Sequence, residues 1–105
     1  MRELGIDAVV ERAAGIVGEA PVFLSVDVDV LDPAFAPGTG TPEPGGMTSA
    51  DLLRACRSLA SQLRVVGMDV VEVIPTVVGS ADVTALVAER IVREVLTGIA
   101  VRNRR

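Results

Sequence analysis

Ser25-Val26-Asp27-Val28-Asp29-Val30-Leu31-Asp32-Pro33 places two carboxylates at i, i+2 in an apolar, β-branched run, which then breaks into a segment rich in proline and glycine. An extended chain rises about 3.3 Å per residue and alternates its faces, so a strand here would project Asp27 and Asp29 from one side, roughly 7 Å apart at the backbone. Hard divalent cations prefer oxygen ligands, and the end of a parallel strand is where α/β proteins bind ligands. The pair is therefore a candidate metal site. Acids at strand ends also cap neighbouring helices or pair with arginines, and that reading stands beside the first.

The apolar run begins at Pro21 and extends to Val30, too short for a packed helix and suited to a buried strand. Residues 31 to 47 contain four of the six prolines together with Gly38, Gly40, Gly45 and Gly46, so neither helix nor strand pairing continues through them. A loop of this length in a small domain is usually functional, and an ordered, functional loop is expected here. Before the strand, Ile6, Val9, Val10, Ala13, Ile16 and Val17 recur at helical spacing, and Gly18 is placed to end that helix. After the loop, Thr48 and Asp51 resemble a capping box ahead of the stripe Leu52, Leu53, Cys56, Leu59, Ala60 and Leu63. Val65 to Ile74, closed by Pro75, reads as a second buried strand. Ser80 or Asp82 can cap a last helix with Val83, Leu86, Val87, Ile91 and Val95 on its face and an Arg90–Glu94 pair on its flank.

Strands separated by single helices imply right-handed crossovers and a parallel sheet, so the fold class is α/β. Two strands make a poor sheet, since each is an open edge. Residues 1–105 thus read as part of one larger α/β domain, with no second domain and no internal repeat.

Half of the 105 residues are hydrophobic and the formal charge is −4, which provides a core but no general attraction for nucleic acid or anionic lipid. The basic end Arg102-Asn103-Arg104-Arg105 reads as a solvated terminus. Cys56 is the single cysteine; among helix-spaced apolar residues it is expected in the core, and a reduced, cytoplasmic setting suits it. No apolar run reaches the roughly 18 residues of a membrane span.

Ser25-x-Asp27-x-Asp29, followed by Pro33, Pro37-Gly38 and Gly46, resembles the third signature of the ureohydrolase family, which includes arginase and agmatinase. The run from Asp32 to Gly46 is more similar to the agmatinase branch, and Gly67-Met68-Asp69-Val70-Val71-Glu72-Val73-Ile74-Pro75 resembles a later strand of the family. The resemblance implies a three-layer αβα parallel sheet of the arginase-like type, here an incomplete C-terminal part with about two strands and three helices. It implies a binuclear Mn2+ centre, with Asp27 bridging the ions, Asp29 chelating one of them, and Glu72 holding the substrate guanidinium. The implied reaction is hydrolysis of a guanidino compound, agmatine foremost, to urea and an amine. No catalytic acid or base is assigned within the chain, and a homo-oligomeric parent is expected by the same likeness.

One departure from the family pattern is decisive for activity. The chain has no histidine, whereas the family draws histidines and further aspartates from two other signatures to complete its metal spheres. Two carboxylates cannot fill two octahedral spheres, so the chain alone is expected to be inactive. A non-catalytic remnant or interaction fragment is the alternative. Asp32, before Pro33, reads as a turn-former, Thr39 and Thr41 as turn residues that could also line a substrate mouth, and Asp69 as an acid with no assigned role.

Overall fold

The computed structural model describes residues 5–32, 46–73 and 81–104. Within them lie α1 (Ile6–Val17), β1 (Pro21–Asp27), a 3-10 turn (Val28–Val30), α2 (Ser49–Gln62), β2 (Arg64–Val71) and α3 (Ala81–Asn103). β1 and β2 pair in parallel as a two-stranded sheet. The α/β arrangement expected from the sequence is observed. Residues 33–45 and 74–80, which include Pro33, Pro37, Gly38, Thr39, Thr41, Pro75 and the possible cap Ser80, lie outside the described residues.

α1 ends where expected. Gly18 adopts φ 64°, a left-handed conformation that costs glycine no Cβ clash, and its N–H donates to the Ala14 carbonyl at 2.9 Å. The apolar stripe of α1 is largely uncovered, with Val10 buried and Ile16 81% exposed. α2 is capped by Thr48, whose Oγ1 accepts from the Asp51 N–H at 3.2 Å. α3 begins at Ala81, which places Asp82 inside its first turn rather than before it.

The core forms where α2 and α3 pack on one face of the sheet. Val26, Val28, Leu31, Leu52, Cys56, Ala60, Ile91 and Val95 are buried together, edged by Leu24, Val65, Met68 and Val70. Each fully buried aliphatic side chain contributes about 1.5–3 kcal/mol through removal from water. Arg102 closes the far end of the seam: its guanidinium donates to the Gln62 carbonyl at 3.0 Å, an open acceptor at the end of α2, and to Glu19 at 2.7 Å.

Both strands depart from the buried reading in the same way. In β1, Val22, Leu24 and Val26 turn toward the helices, while Phe23, Ser25 and Asp27 are exposed. Among the described residues, helices cover one face of this sheet, so the strands alternate instead of being buried on both sides. Phe23 and Val66 are accordingly 63% and 65% exposed. Both strands are also shorter than expected: β1 stops at Asp27 and β2 at Val71.

The register contains one irregularity. Val22 pairs with Val65 but Phe23 pairs with Gly67, which leaves Val66 without a partner in β1. An extra residue of this kind is a β-bulge, and it reverses the phase of every later side chain. Val65 faces the core before the bulge, and Met68 and Val70 face it afterwards. Asp69 is thereby turned to the exposed face.

Candidate metal and substrate site

β1 changes conformation at the acids. Asp27 is its last residue, and its Oδ1 accepts from the Asp29 N–H at 2.8 Å, capping the 3-10 turn that carries Asp29. The extended reading of Ser25 to Val30 is corrected here: Asp27 and Asp29 do not share one face of a strand. The physical reason is the local hydrogen bond from backbone to aspartate, which competes with strand pairing. Both acids remain together, since the turn that separates them is also held by that bond. Val28 and Leu31, buried to 0% and 1% exposure, anchor the turn from below. Asp27 itself is exposed and Asp29 half-buried.

The next few residues are fixed by a backbone clasp. The Met47 N–H donates to the Val30 carbonyl at 2.8 Å, and the Asp32 N–H donates to the Met47 carbonyl at 2.9 Å. Leu31 and Met47 thus form an isolated parallel bridge, which brings the two flanks of residues 33–45 together beside the acids. Asp32 takes part through its backbone. Gly46 lies so close that a Cβ there would stand 2.7 Å from the Asp32 nitrogen and the Val30 oxygen.

Glu72 reaches the same end of the sheet along β2. Asp27 pairs with Val71 in the last rung, and Glu72 follows that rung directly. Its backbone turns there into the left-handed region at φ 68°, and it is the sole non-glycine residue recorded with positive φ among the described residues. Such a conformation costs of order 1–3 kcal/mol for a residue with a Cβ and tends to occur at functional sites. The residue is exposed. Asp27 and Glu72 therefore emerge from neighbouring strands at their carboxyl ends, where a parallel sheet offers a ligand crevice.

Sequence reasoning missed Asp69. Ser25 Oγ donates to Asp69 Oδ1 at 2.6 Å across the rung two before that of Asp27, on the exposed face of the sheet. The available signal was Gly67 within an apolar strand, a frequent mark of a bulge.

Carboxylate oxygens are the right donors for Mn2+ or another hard cation. Among the described residues, no three His, Cys, Asp or Glu side chains converge to hold a metal ion. The donor chemistry fits; the described donors complete no coordination sphere.

Residues 1–98 match the arginase family. The chain belongs to the arginase family. An agmatinase of Escherichia coli is 47% identical over 96 residues, covering 91% of this chain and 31% of the relative. An agmatinase of Cronobacter sakazakii is 50% identical over 91 residues, covering 87% and 29%. Among solved structures, a hypothetical agmatinase from Burkholderia thailandensis superposes with TM-score 0.86 at 43% identity, over 98% of this chain and 31% of that one. The proclavaminate amidino hydrolase of Streptomyces clavuligerus gives TM-score 0.88 at 43% identity, over 95% and 33%. A formiminoglutamase of Trypanosoma cruzi described with Mn2+ gives 0.85 at 29% identity, over 96% and 34%. The chain thus spans about a third of the length of these arginase-family relatives, and its three helices and parallel strand pair are an incomplete part of their α/β fold.

Proposed function

We propose that this chain is part of an agmatinase-type ureohydrolase, with Asp27 and Asp29 as ligands of a binuclear Mn2+ centre and Glu72 as the acceptor for the substrate guanidinium. The observation that carries the reading is the last rung of the sheet. It sets Asp27 beside Val71 and delivers Glu72 one residue later, so two carboxylates emerge at one end of the sheet, which supports reading one as a metal ligand and the other as a cation acceptor. The identity to agmatinases supports agmatine among guanidino substrates.

In that role Asp27 and Asp29 hold charge at fixed positions. The bond from the Asp29 N–H fixes one oxygen of Asp27 and so limits the rotation of its carboxylate. Glu72 would pair with the planar guanidinium and set its carbon toward the acids. Bound metal would supply a water made acidic near neutral pH and a Lewis acid for developing charge. Water adds to the guanidinium carbon, the bond to the alkyl nitrogen breaks, and that nitrogen takes a proton as urea and the amine separate.

The histidines with which the family completes its metal spheres have no counterpart in this chain, which has no histidine. The 105 residues alone are therefore inactive in this reading. Urea release from agmatine with excess Mn2+ tests it: no turnover is expected, and turnover abolished by Asp27→Ala would overturn the inactivity. Mn2+ should nevertheless broaden the amide resonances of Asp27 and Asp29 before others, and uniform broadening would remove the metal assignment. A non-catalytic interaction fragment is the second reading, favoured by the bare sheet face at Phe23 and Val66. A homo-oligomeric, cytoplasmic parent completes the proposal. Among the described residues no helix is long and apolar enough to cross a membrane.

A further inference from the structure

Among the described residues, a polar crosslink lies on the exposed face of the sheet. Ser25 and Asp69 occupy opposite positions of one rung, and the serine hydroxyl donates to the aspartate at 2.6 Å. Toward the start of the strands its neighbours on that face, Phe23 and Val66, are apolar. Asp69 faces outward only because the bulge at Val66 reverses the phase of β2; with regular alternation from Val65 it would point into the helices, where an unpaired carboxylate is strongly disfavoured. The bulge and the aspartate therefore depend on each other.

The crosslink is placed two rungs before Asp27. On β1, Ser25 precedes Asp27 by two residues on the same face; on β2, Asp69 precedes Glu72 by three. Beyond it remain the pairs Val26↔Val70 and Asp27↔Val71, after which both chains leave the sheet, one into a 3-10 turn and the other into a left-handed residue. A two-stranded parallel ladder frays readily at such an end. We infer that Asp69, acting through Ser25, is a positioning residue that holds the ends of β1 and β2 together and thereby maintains the left-handed backbone of Glu72 beside Asp27. The inference rests on the proposed roles of Asp27 and Glu72 for its functional meaning, and on the hydrogen bond and register for its mechanics. Asp69 touches neither metal nor substrate in this arrangement.

The test uses the isotope-labelled full chain and reads Glu72 directly. A positive φ brings the amide and α protons of one residue closer than extended backbone does, and so gives a markedly stronger intraresidue cross-peak between them. The wild type should show it. Asp69→Leu and Ser25→Ala should lose it, whereas Asp69→Asn, which keeps an acceptor oxygen for the serine, should retain it. A role limited to overall stability would lower the urea midpoint without moving this signal. Retention of the Glu72 signature in a folded Asp69→Leu or Ser25→Ala chain overturns the inference. Should Asp69→Leu fail to fold, Ser25→Ala against Asp69→Asn decides it in the same terms. Added Mn2+ separates the two levels: in the wild type it should broaden Asp27 and Asp29 first and Glu72 near the same concentration. In Ser25→Ala the Glu72 broadening should require roughly tenfold more metal, the scale on which residues beyond the ligands act. Broadening that ignores Asp27 defeats the metal reading and leaves the backbone result to judge the crosslink.

Discussion

Gly98 of α3 rests directly on Ala60 of α2: a Cβ at position 98 would stand 2.6 Å from the Ala60 Cβ and 2.6 Å from the Arg57 carbonyl oxygen. That approach sets the spacing of the two helices above the sheet, because Ala60 itself is fully buried. Gly98→Ala is informative because two effects oppose each other. Helix propensity favours alanine by about 1 kcal/mol, while forcing a methyl into backbone costs typically 1–3 kcal/mol. The steric term is expected to win, with a net destabilisation on the order of 1 kcal/mol and a larger loss for Gly98→Val. Urea denaturation of the chain measures it, and a stabilised Gly98→Ala would mean that the seam is looser than described.

Gly46 should behave similarly for a different reason. The space for its Cβ is taken at 2.7 Å by backbone atoms of Val30, Leu31 and Asp32, which cannot rotate away as a side chain could. Gly46→Ala must displace the clasp between Leu31 and Met47. Amide exchange at Met47 and Asp32, whose N–H groups form the clasp, should accelerate by about tenfold or more, while exchange in α3 changes little. Equal acceleration in α3 would show that the clasp and the helical core open as one unit.

The elements named from periodicity correspond to the observed ones because their signals are local. Gly18 and Thr48 act within one turn of their own positions, and both end or start a helix as expected. The strands were identifiable as strands but not as half-exposed ones: β1 is apolar on both faces up to Ser25, a pattern formed for a sheet covered twice, whereas among the described residues helices cover it once. At the site, residue type and spacing single out Asp27 and Asp29, whereas Glu72 stands out only through the family resemblance. The conformation joining Asp27 to Asp29 was not legible, since a strand and an aspartate-capped turn compete over three residues and the buried contacts of Val28 and Leu31 decide between them. Asp69 depended on a bulge, and a single inserted residue leaves little trace in an apolar run beyond Gly67.

Glu94 predicts a stability change in acid. It receives Arg57 at 3.0 Å and Arg90 at 3.0 Å, and these hydrogen bonds lower its pKa from the ordinary 4.5. A carboxylate whose folded pKa is depressed contributes stability that is fully present above the unfolded value and is lost as pH falls through the folded value. The gap between wild type and Glu94→Gln should therefore be constant above about pH 5 and close progressively below 4.5. Both arginines are about half exposed, so the gap at neutral pH should be modest, on the order of 1 kcal/mol, and should shrink with added salt. Urea midpoints across pH 3 to 7 measure it, and a gap that widens in acid would contradict the assignment.

Cys56 predicts the opposite dependence at the alkaline end. Burial, followed by the nearby charge of Glu94, raises its thiol to about 11 from the ordinary 9.0. The side chain is 2% exposed, so thiolate is both scarce and inaccessible in the folded chain. At pH 8 a thiol reagent should label it only through opening of the seam between α2 and α3, at a rate lower than that of the urea-unfolded chain by orders of magnitude. The sign of the linkage follows from the raised value. The stability that depends on a neutral thiol is intact below the unfolded pKa near 9 and is lost as pH rises through about 11. Cys56→Ala removes this alkaline loss but leaves a cavity, expected to cost about 1–2 kcal/mol at neutral pH. Wild type and variant should therefore converge between pH 9 and 11. Labelling of the folded chain at the unfolded rate would instead place Cys56 outside the core.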